Sequence, residues 1–334
     1  MSQETETNQG PDSGLDPLAP TNPITPPAGL KTRAGLKAAP APKAAAVGFA
    51  PRKAARKINR GPVWLKPRFL ISGSIVAIML LMAAFPQLFA GLGADLNANC
   101  DIMNTNQPPS PEHPFGVDIQ GCDYYTNVIF GARASILVGI VVTAISFVIS
   151  ALLGSLAGYF GGWVDTIISR ACDMAFGLPF ILAAIVVLQL FSERTVWTVI
   201  FALALFSWAG GVRFMRSSVL EVRNREYVQA SRLLGASHGR IIKTHIIPNS
   251  LTPLLVLQTL GIGGVISAEA GLTFIGIGLT PPSVSWGLQL AAAREYISAA
   301  PHLLIFPAIF LTITVLGFVL FGEALRDEFD PKGK

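Results

Sequence analysis

The stretch Ala134–Phe160, ASILVGIVVTAISFVISALLGSLAGYF, runs without a single Asp, Glu, Lys or Arg. A helix rises about 1.5 Å per residue and a bilayer's hydrocarbon core is about 30 Å thick, so roughly 20 such residues cross it. Five more apolar blocks have the same character: Phe69–Phe89, Ile167–Phe191, Val196–Met215, Leu251–Leu279 and Leu303–Phe321. The expectation is an all-α membrane protein with six transmembrane helices within residues 61–334. Composition agrees, at 51% hydrophobic and 13% charged with a mean hydropathy of +0.53, too apolar for an ordinary soluble domain. The block Leu251–Leu279 is long and rich in glycine, including Gly276 and Gly278, so its far end also reads as an interfacial turn.

Lys and Arg in the short flanking segments set orientation. Arg52, Lys53, Arg56, Lys57, Arg60, Lys66 and Arg68 precede the first block, and Arg213, Arg216, Arg223, Arg225, Arg232, Arg240 and Lys243 lie from the end of the fourth to the fifth. Residues 91–132 carry Asp95, Asp101, Glu112, Asp118 and Asp123 with no Lys or Arg. These asymmetries predict a multi-pass membrane protein with both termini cytoplasmic and residues 91–132 as an external loop. The net charge of +5 then reflects orientation and contact with anionic lipid; it calls for no nucleic acid. Residues 1–60 are rich in Pro, Ala, Thr, Ser and Gly and poor in large apolar side chains, which predicts a disordered cytoplasmic tail. They do not read as a signal peptide, because the first apolar run starts near residue 69 and is too long.

Two of the three cysteines, Cys100 and Cys122, fall in the external loop, where disulfides persist. A bond between them is expected, and closing that loop removes chain entropy equivalent to roughly 3 kcal/mol. Cys172 reads as a buried apolar residue at a helix end.

The chain holds no GxxxxGK[ST] phosphate loop, so ATP chemistry of the Walker type is not expected in it. The four His residues (His113, His238, His245 and His302) are scattered without metal-ligand spacing, and no nucleophile–base set stands out. No catalytic residue, metal ligand or cofactor is expected in this chain. Ionisable residues inside apolar blocks mark function more often than chance. Asp173 shares a helix face with Arg170, so an ion pair competes with a role on a substrate path. Glu269 lies deep in the fifth block among Ser267, Ala268, Ala270 and Gly271; a structural clamp and a gate element are equally compatible with that setting.

Between the fourth and fifth blocks, residues 220–249 are polar and helix-forming, ending in REYVQASRLLGASHGRIIKTHIIPN (Arg225–Asn249). Glu221 to Leu234 predicts a helix, with Ala230 and Ser231 sharing a surface with Glu226 and Tyr227. Gly235 ends it in a left-handed conformation, Ser237 caps a short second helix through Arg240 to His245, and Pro248 closes that one. Small residues on such a segment admit close contact with a rigid partner.

The spacing Gln229-Ala230-Ser231, three residues, Gly235, nine residues, His245-Ile246-Ile247-Pro248 resembles the EAA loop of ATP-binding-cassette importer permeases. The longer string is similar to the C-type permease of the dipeptide/oligopeptide/nickel import family. HPFGVDIQGCD (His113–Asp123) resembles its HPFGTDxxGRD segment, with Cys122 in place of the usual arginine. GYFGGWVDTIISRACDMAFGLP (Gly158–Pro179), AEAGLTFIGIGLTPPSVSWG (Ala268–Gly287) and GEALRDEFDPK (Gly322–Lys332) resemble three further family motifs. The likeness covers about residues 65–332; the tail and the insertion Asn97–Pro111 fall outside it.

The resemblance implies the six-helix type I importer (MetI-like) permease fold, half of a translocation pathway, and uptake of di- or oligopeptides. The family also includes carriers of nickel and other small solutes. Implied partners are a homologous B-type permease subunit, two ATPase subunits that hold ATP and Mg, and an external solute-binding protein. Glu226, Tyr227, Gln229, Ala230, Ser231, Gly235, Ala236, Arg240, Pro248 and Asn249 are the implied ATPase-docking residues. Gln229 and Ser231 stand where an acidic residue and an alanine are usual, which puts a salt bridge from position 229 in doubt. An ion-coupled secondary transporter, the competing class, would lead one to expect inverted repeats, and the six blocks show no clear repeat.

Overall fold

The computed structural model describes residues 67–91, 94, 96 and 100–329. The expected tail, residues 1–60, lies outside the described residues, as do the basic residues up to Lys66 and the last residues of the C-terminal motif. Among the described residues the regular structure is helical, with one isolated antiparallel bridge between Val117 and Asp123.

Helix α1 (Pro67–Ala84) is followed by the short α2 (Pro86–Ala90). The loop after it carries Cys100, joined to Cys122 by a disulfide, and a single 3-10 turn at Ile102–Asn104. Helix α3 (Tyr124–Phe160) begins where the Asp123 carboxylate accepts from the Thr126 N–H at 2.9 Å, a side-chain N-cap that satisfies one orphan donor. It runs without interruption through the whole stretch that predicts a membrane span. Next come α4 (Gly162–Gly177), α5 (Phe180–Leu188), α6 (Val196–Arg223), α7 (Glu226–Leu233), α8 (His238–Ile241), α9 (Ile247–Phe274), α10 (Trp286–Ala293) and α11 (His302–Phe329).

Among the described residues five helical segments are long and apolar enough to cross a membrane: α1, α3, α6, the run from His238 to Phe274, and α11. The third expected span is not one straight helix. It is split into α4 and α5, bent by 82°, and counts as the sixth span only if the bent pair is taken together. The cause is local. Leu178 precedes Pro179 and takes an extended conformation (φ −101°, ψ 128°), because the proline ring crowds a helical predecessor. The glycine-rich end of the fifth span is a turn: α9 stops at Phe274, and Gly276 follows at φ +83°.

Helix α3 is the centre of the packing, meeting α6, α9 and α1, while α11 closes against α9 and α1. The α3–α6 contact is close because Gly154 and Gly158 of α3 face Met215 and Val219 of α6. A Cβ on Gly154 would sit 2.6 Å from the Met215 Cβ, and one on Gly158 would sit 2.8 Å from the Val219 Cβ. Small residues four apart let two backbones approach, which is how helices associate where lipid gives no hydrophobic drive. Two ion pairs tie α4 to α6: Asp165 with Arg216 (2.5 and 2.6 Å) and Asp173 with Arg213.

Candidate functional site

The segment after α6 folds back onto the end of the bundle. Helix α6 stops at Arg223, whose guanidinium donates to the Gly158 and Tyr159 carbonyls (3.3 and 2.9 Å) at the C-terminal end of α3. A cation there also suits the negative end of the α3 dipole. The expected continuous helix over Glu221–Leu234 is broken, with Arg225 extended (φ −69°, ψ 143°). Straight continuation of α6 would carry Val228 away from the bundle; the break turns it inward, where it is fully buried.

Gly235 ends α7 at φ +79°, as its position predicts. The Gly235 N–H donates to the Arg232 carbonyl and the Ala236 N–H to the Ser231 carbonyl, each at 3.1 Å, the paired bonds of a Schellman turn. Ser237 sits at the start of α8 in an extended conformation, yet its hydroxyl makes no capping bond. Pro248 does not close the second helix. A π turn at Ile242–Ile246 precedes it, and α9 follows without a gap. The wider turn removes the clash of the proline ring with the carbonyl one turn back and leaves Pro248 in the first turn of α9, where a missing N–H costs nothing.

The platform made by α7 and α8 has two faces. Beneath it, Val228, Ile241 and Ile246 are buried against Tyr159, Met215, Val219, Val222 and Leu254 from α3, α6 and α9. On the other face Glu226, Tyr227, Gln229, Ala230, Gly235, Arg240, Pro248 and Asn249 are exposed, and Ser231 and Ala236 are half-buried. All ten expected docking residues thus lie on one segment at one end of the bundle. Ser231 is held in place: its hydroxyl donates to the Tyr227 carbonyl (2.8 Å) and lies 3.2 Å from His245 Nε2. Gln229 donates to the Asn224 carbonyl at 3.3 Å, and Asn249 to the His245 carbonyl at 2.6 Å.

Sequence reasoning missed two parts of this surface. Leu233 and Leu234 stand 89% and 87% exposed at the end of α7; two adjacent leucines beside a glycine in a polar segment were the available signal. His238 bonds the Tyr159 hydroxyl at 2.9 Å and so links α8 to α3, a pairing across 79 positions that the chain does not announce. A shallow cavity of about 270 Å³ opens beside them between Arg223, Asn224, Gln229, Arg232 and Leu233.

Asp173 and Glu269 lie elsewhere. Asp173 is half-exposed, and its close partner is Arg213 of α6; Arg170, expected from spacing, is 3.7 Å away. Glu269 is fully buried. Its Oε1 accepts from Thr273 (3.0 Å) and from Ser285 (3.2 Å), and Ser285 in turn caps α10. Ser135 of α3 contributes a further hydroxyl beside the carboxylate, and Oε2 has no hydrogen-bond partner of its own. The carboxylate ties the end of α9 to the start of α10. Cys172 is buried.

Residues 150–333 match the family described as binding-protein-dependent transport system inner membrane component. The chain is 37% identical over 260 residues to the dipeptide transport system permease protein DppC of Alkalihalophilus pseudofirmus, covering 78% of this chain and 84% of that one. It is 34% identical over 258 residues to the oligopeptide transport system permease protein OppC of Bacillus subtilis, covering 77% and 83%. It is 35% identical over 271 residues to the glutathione transport system permease protein GsiD of Pectobacterium atrosepticum, covering 81% and 89%.

Proposed function

Because the chain belongs to the family of binding-protein-dependent transport system inner membrane components, as a multi-pass permease, we propose that it forms half of the translocation pathway of an ATP-driven importer of short peptides. The relatives above are named for dipeptide, oligopeptide and glutathione transport, and all three cargoes are peptides or peptide-like. The other half of the pathway is a homologous B-type permease subunit. Two ATPase subunits bind at the face carrying α7 and α8 and hold the ATP and Mg, and a solute-binding protein delivers cargo at the opposite face. The Lys and Arg residues around α7 support a cytoplasmic position for it and for both termini.

The observation that carries this reading is the two-faced platform. An exposed surface with small residues and two bare leucines sits on a fully buried apolar base shared with α3, α6 and α9. An ATPase that closes on ATP pushes on the exposed face. Val228, Ile241 and Ile246 cannot yield without opening voids, so the push passes into α6 and α9 as a rigid shift. Cargo enters when the two permease halves rock to the outward state, and the cycle resets after hydrolysis. Reconstitution of the assembled complex in liposomes tests this: peptide uptake should require ATP, the binding protein and this chain. Uptake that continues without an ATPase, or is driven by an ion gradient, would overturn it.

A further inference from the structure

At the end of the bundle that carries the disulfide, a cavity of about 360 Å³ opens between the segment 118–127 and α10. That volume falls in the range of small-molecule sites, about 300–1,000 Å³. Its polar lining comes from Asp118, Gln120, Tyr124, Asn127, Ser283 and Gln289, and among the described residues no Lys, Arg or His lines it. One acceptor in this lining, on Gln289, is unfilled, and the lining also holds the Asp118 carboxylate. Asp118 Oδ1 accepts the Gln120 and Cys122 N–H groups, both at 2.8 Å, and Oδ2 accepts the Asn127 amide at 2.7 Å. The Gly121 N–H also approaches this carboxylate, so its acceptor positions are taken, while no cation in the lining faces its charge. Gln289 is only 9% exposed; its amide donates to the Asn127 carbonyl at 2.7 Å, while its Oε1 has no partner.

Asn127 therefore holds both acceptors, one through its side chain and one through its main chain. The Tyr124 hydroxyl does not compete, being donated to the Leu303 carbonyl. A buried amide oxygen without a donor loses about 1–3 kcal/mol, so a donor brought by a ligand regains it. Burial also pushes the Asp118 carboxyl above its usual range, and the surrounding backbone N–H groups offset this only in part. An incoming positive charge would supply what the site lacks.

We propose that this cavity is a subsite for an organic ammonium group, namely the amino end of the peptide cargo; the identity of that cargo rests on the import reading above. An ammonium group carries three donors and one charge, so it can donate to Gln289 Oε1 while offsetting the Asp118 charge. A carboxylate end meets the Asp118 charge and finds no cation in the lining to pair with. The subsite thus orients a peptide amino end first.

The test uses Ser283→Cys in the assembled transporter, where Cys100 and Cys122 are bonded to each other and Cys172 is buried. With each rate normalised to that reagent's rate with free 2-mercaptoethanol, a trimethylammonium-ethyl methanethiosulfonate should label this thiol about tenfold faster than the sulfonatoethyl reagent, a normalised ratio equal to about 1.4 kcal/mol of charge preference. Asp118→Asn should bring the ratio near one. Gln289→Leu, which leaves the Asp118 loop bonds intact, should remove protection by peptide even if Asp118→Asn fails to fold. A dipeptide with a free amino group should slow the cationic label, and its N-acetylated form should not. A normalised ratio near one, or equal protection by both peptides, would overturn the proposal. Protection by the solute-binding protein without peptide would instead make the cavity a docking pocket for that protein. Loss of peptide import with the charge preference retained would count against the import reading and leave the cavity's chemistry standing.

Discussion

Gly235 offers a quantitative test of the platform. It holds φ +79°, and a Cβ added there meets no atom within 4 Å. Gly235→Ala therefore costs only the left-handed backbone, about 1–2 kcal/mol. That reduces the population of the native turn roughly 5- to 30-fold relative to alternatives. Asparagine visits this conformation more readily than alanine, so Gly235→Asn should recover part of the loss. Gly235→Arg has the same backbone cost and adds a long side chain on the exposed face. Uptake should then fall in the order Gly, Asn, Ala, Arg, with the arginine variant inactive, while all four insert to the same level in membrane fractions. Retention of the ATPase during purification should follow the same order. Normal uptake by Gly235→Arg would refute the docking role. Equal loss in Ala and Arg would show that only the turn matters and that the partner binds elsewhere.

Other expectations follow from the buried groups. Ile241→Ala empties a fully buried position beneath the platform and should cost about 2–5 kcal/mol of local stability; uptake should drop more than ATPase retention, and the reverse would argue against a rigid transmitting base. Glu269→Leu strands the Thr273 and Ser285 hydroxyls at about 1–3 kcal/mol, whereas Glu269→Gln keeps an acceptor; the leucine variant should melt earlier in detergent, and identical melting would contradict the clamp. Cys100→Ser or Cys122→Ser opens a bond across a sequence separation of 22 residues and should release about 3 kcal/mol of constraint; limited proteolysis should cut residues 100–122 faster, and an unchanged rate would show that backbone bonds such as Asp101 N–H to the Gly121 carbonyl already hold the loop.

The membrane helices were legible because lipid forces long apolar runs, and Gly235 was legible because so few residues adopt its conformation. The prolines were harder. Pro179 lies inside an apolar run that continues on both sides, so composition hides the 82° bend it brings. Pro248 signals an end that a π turn cancels, and Pro253 and Pro307 sit inside intact helices. Partnerships across the chain were out of reach. Arg213 lies 40 positions from Asp173, Arg216 lies 51 from Asp165, and Ser285 lies 16 from Glu269; only the packing of helices brings them together. The bond from Arg223 to the end of α3, beside the break at Asn224–Arg225, is again a contact no local pattern carries.

The central claim is that the exposed face of α7 meets an ATPase. A photo-reactive benzoylphenylalanine placed at Leu234, 87% exposed at the end of that helix, tests it directly in intact cells. An adduct with an ATP-binding subunit, strengthened or weakened by trapping the ATP-bound state, is the predicted result. A protein that inserts and transports normally but yields no such adduct, or cross-links only to lipid, would contradict the account.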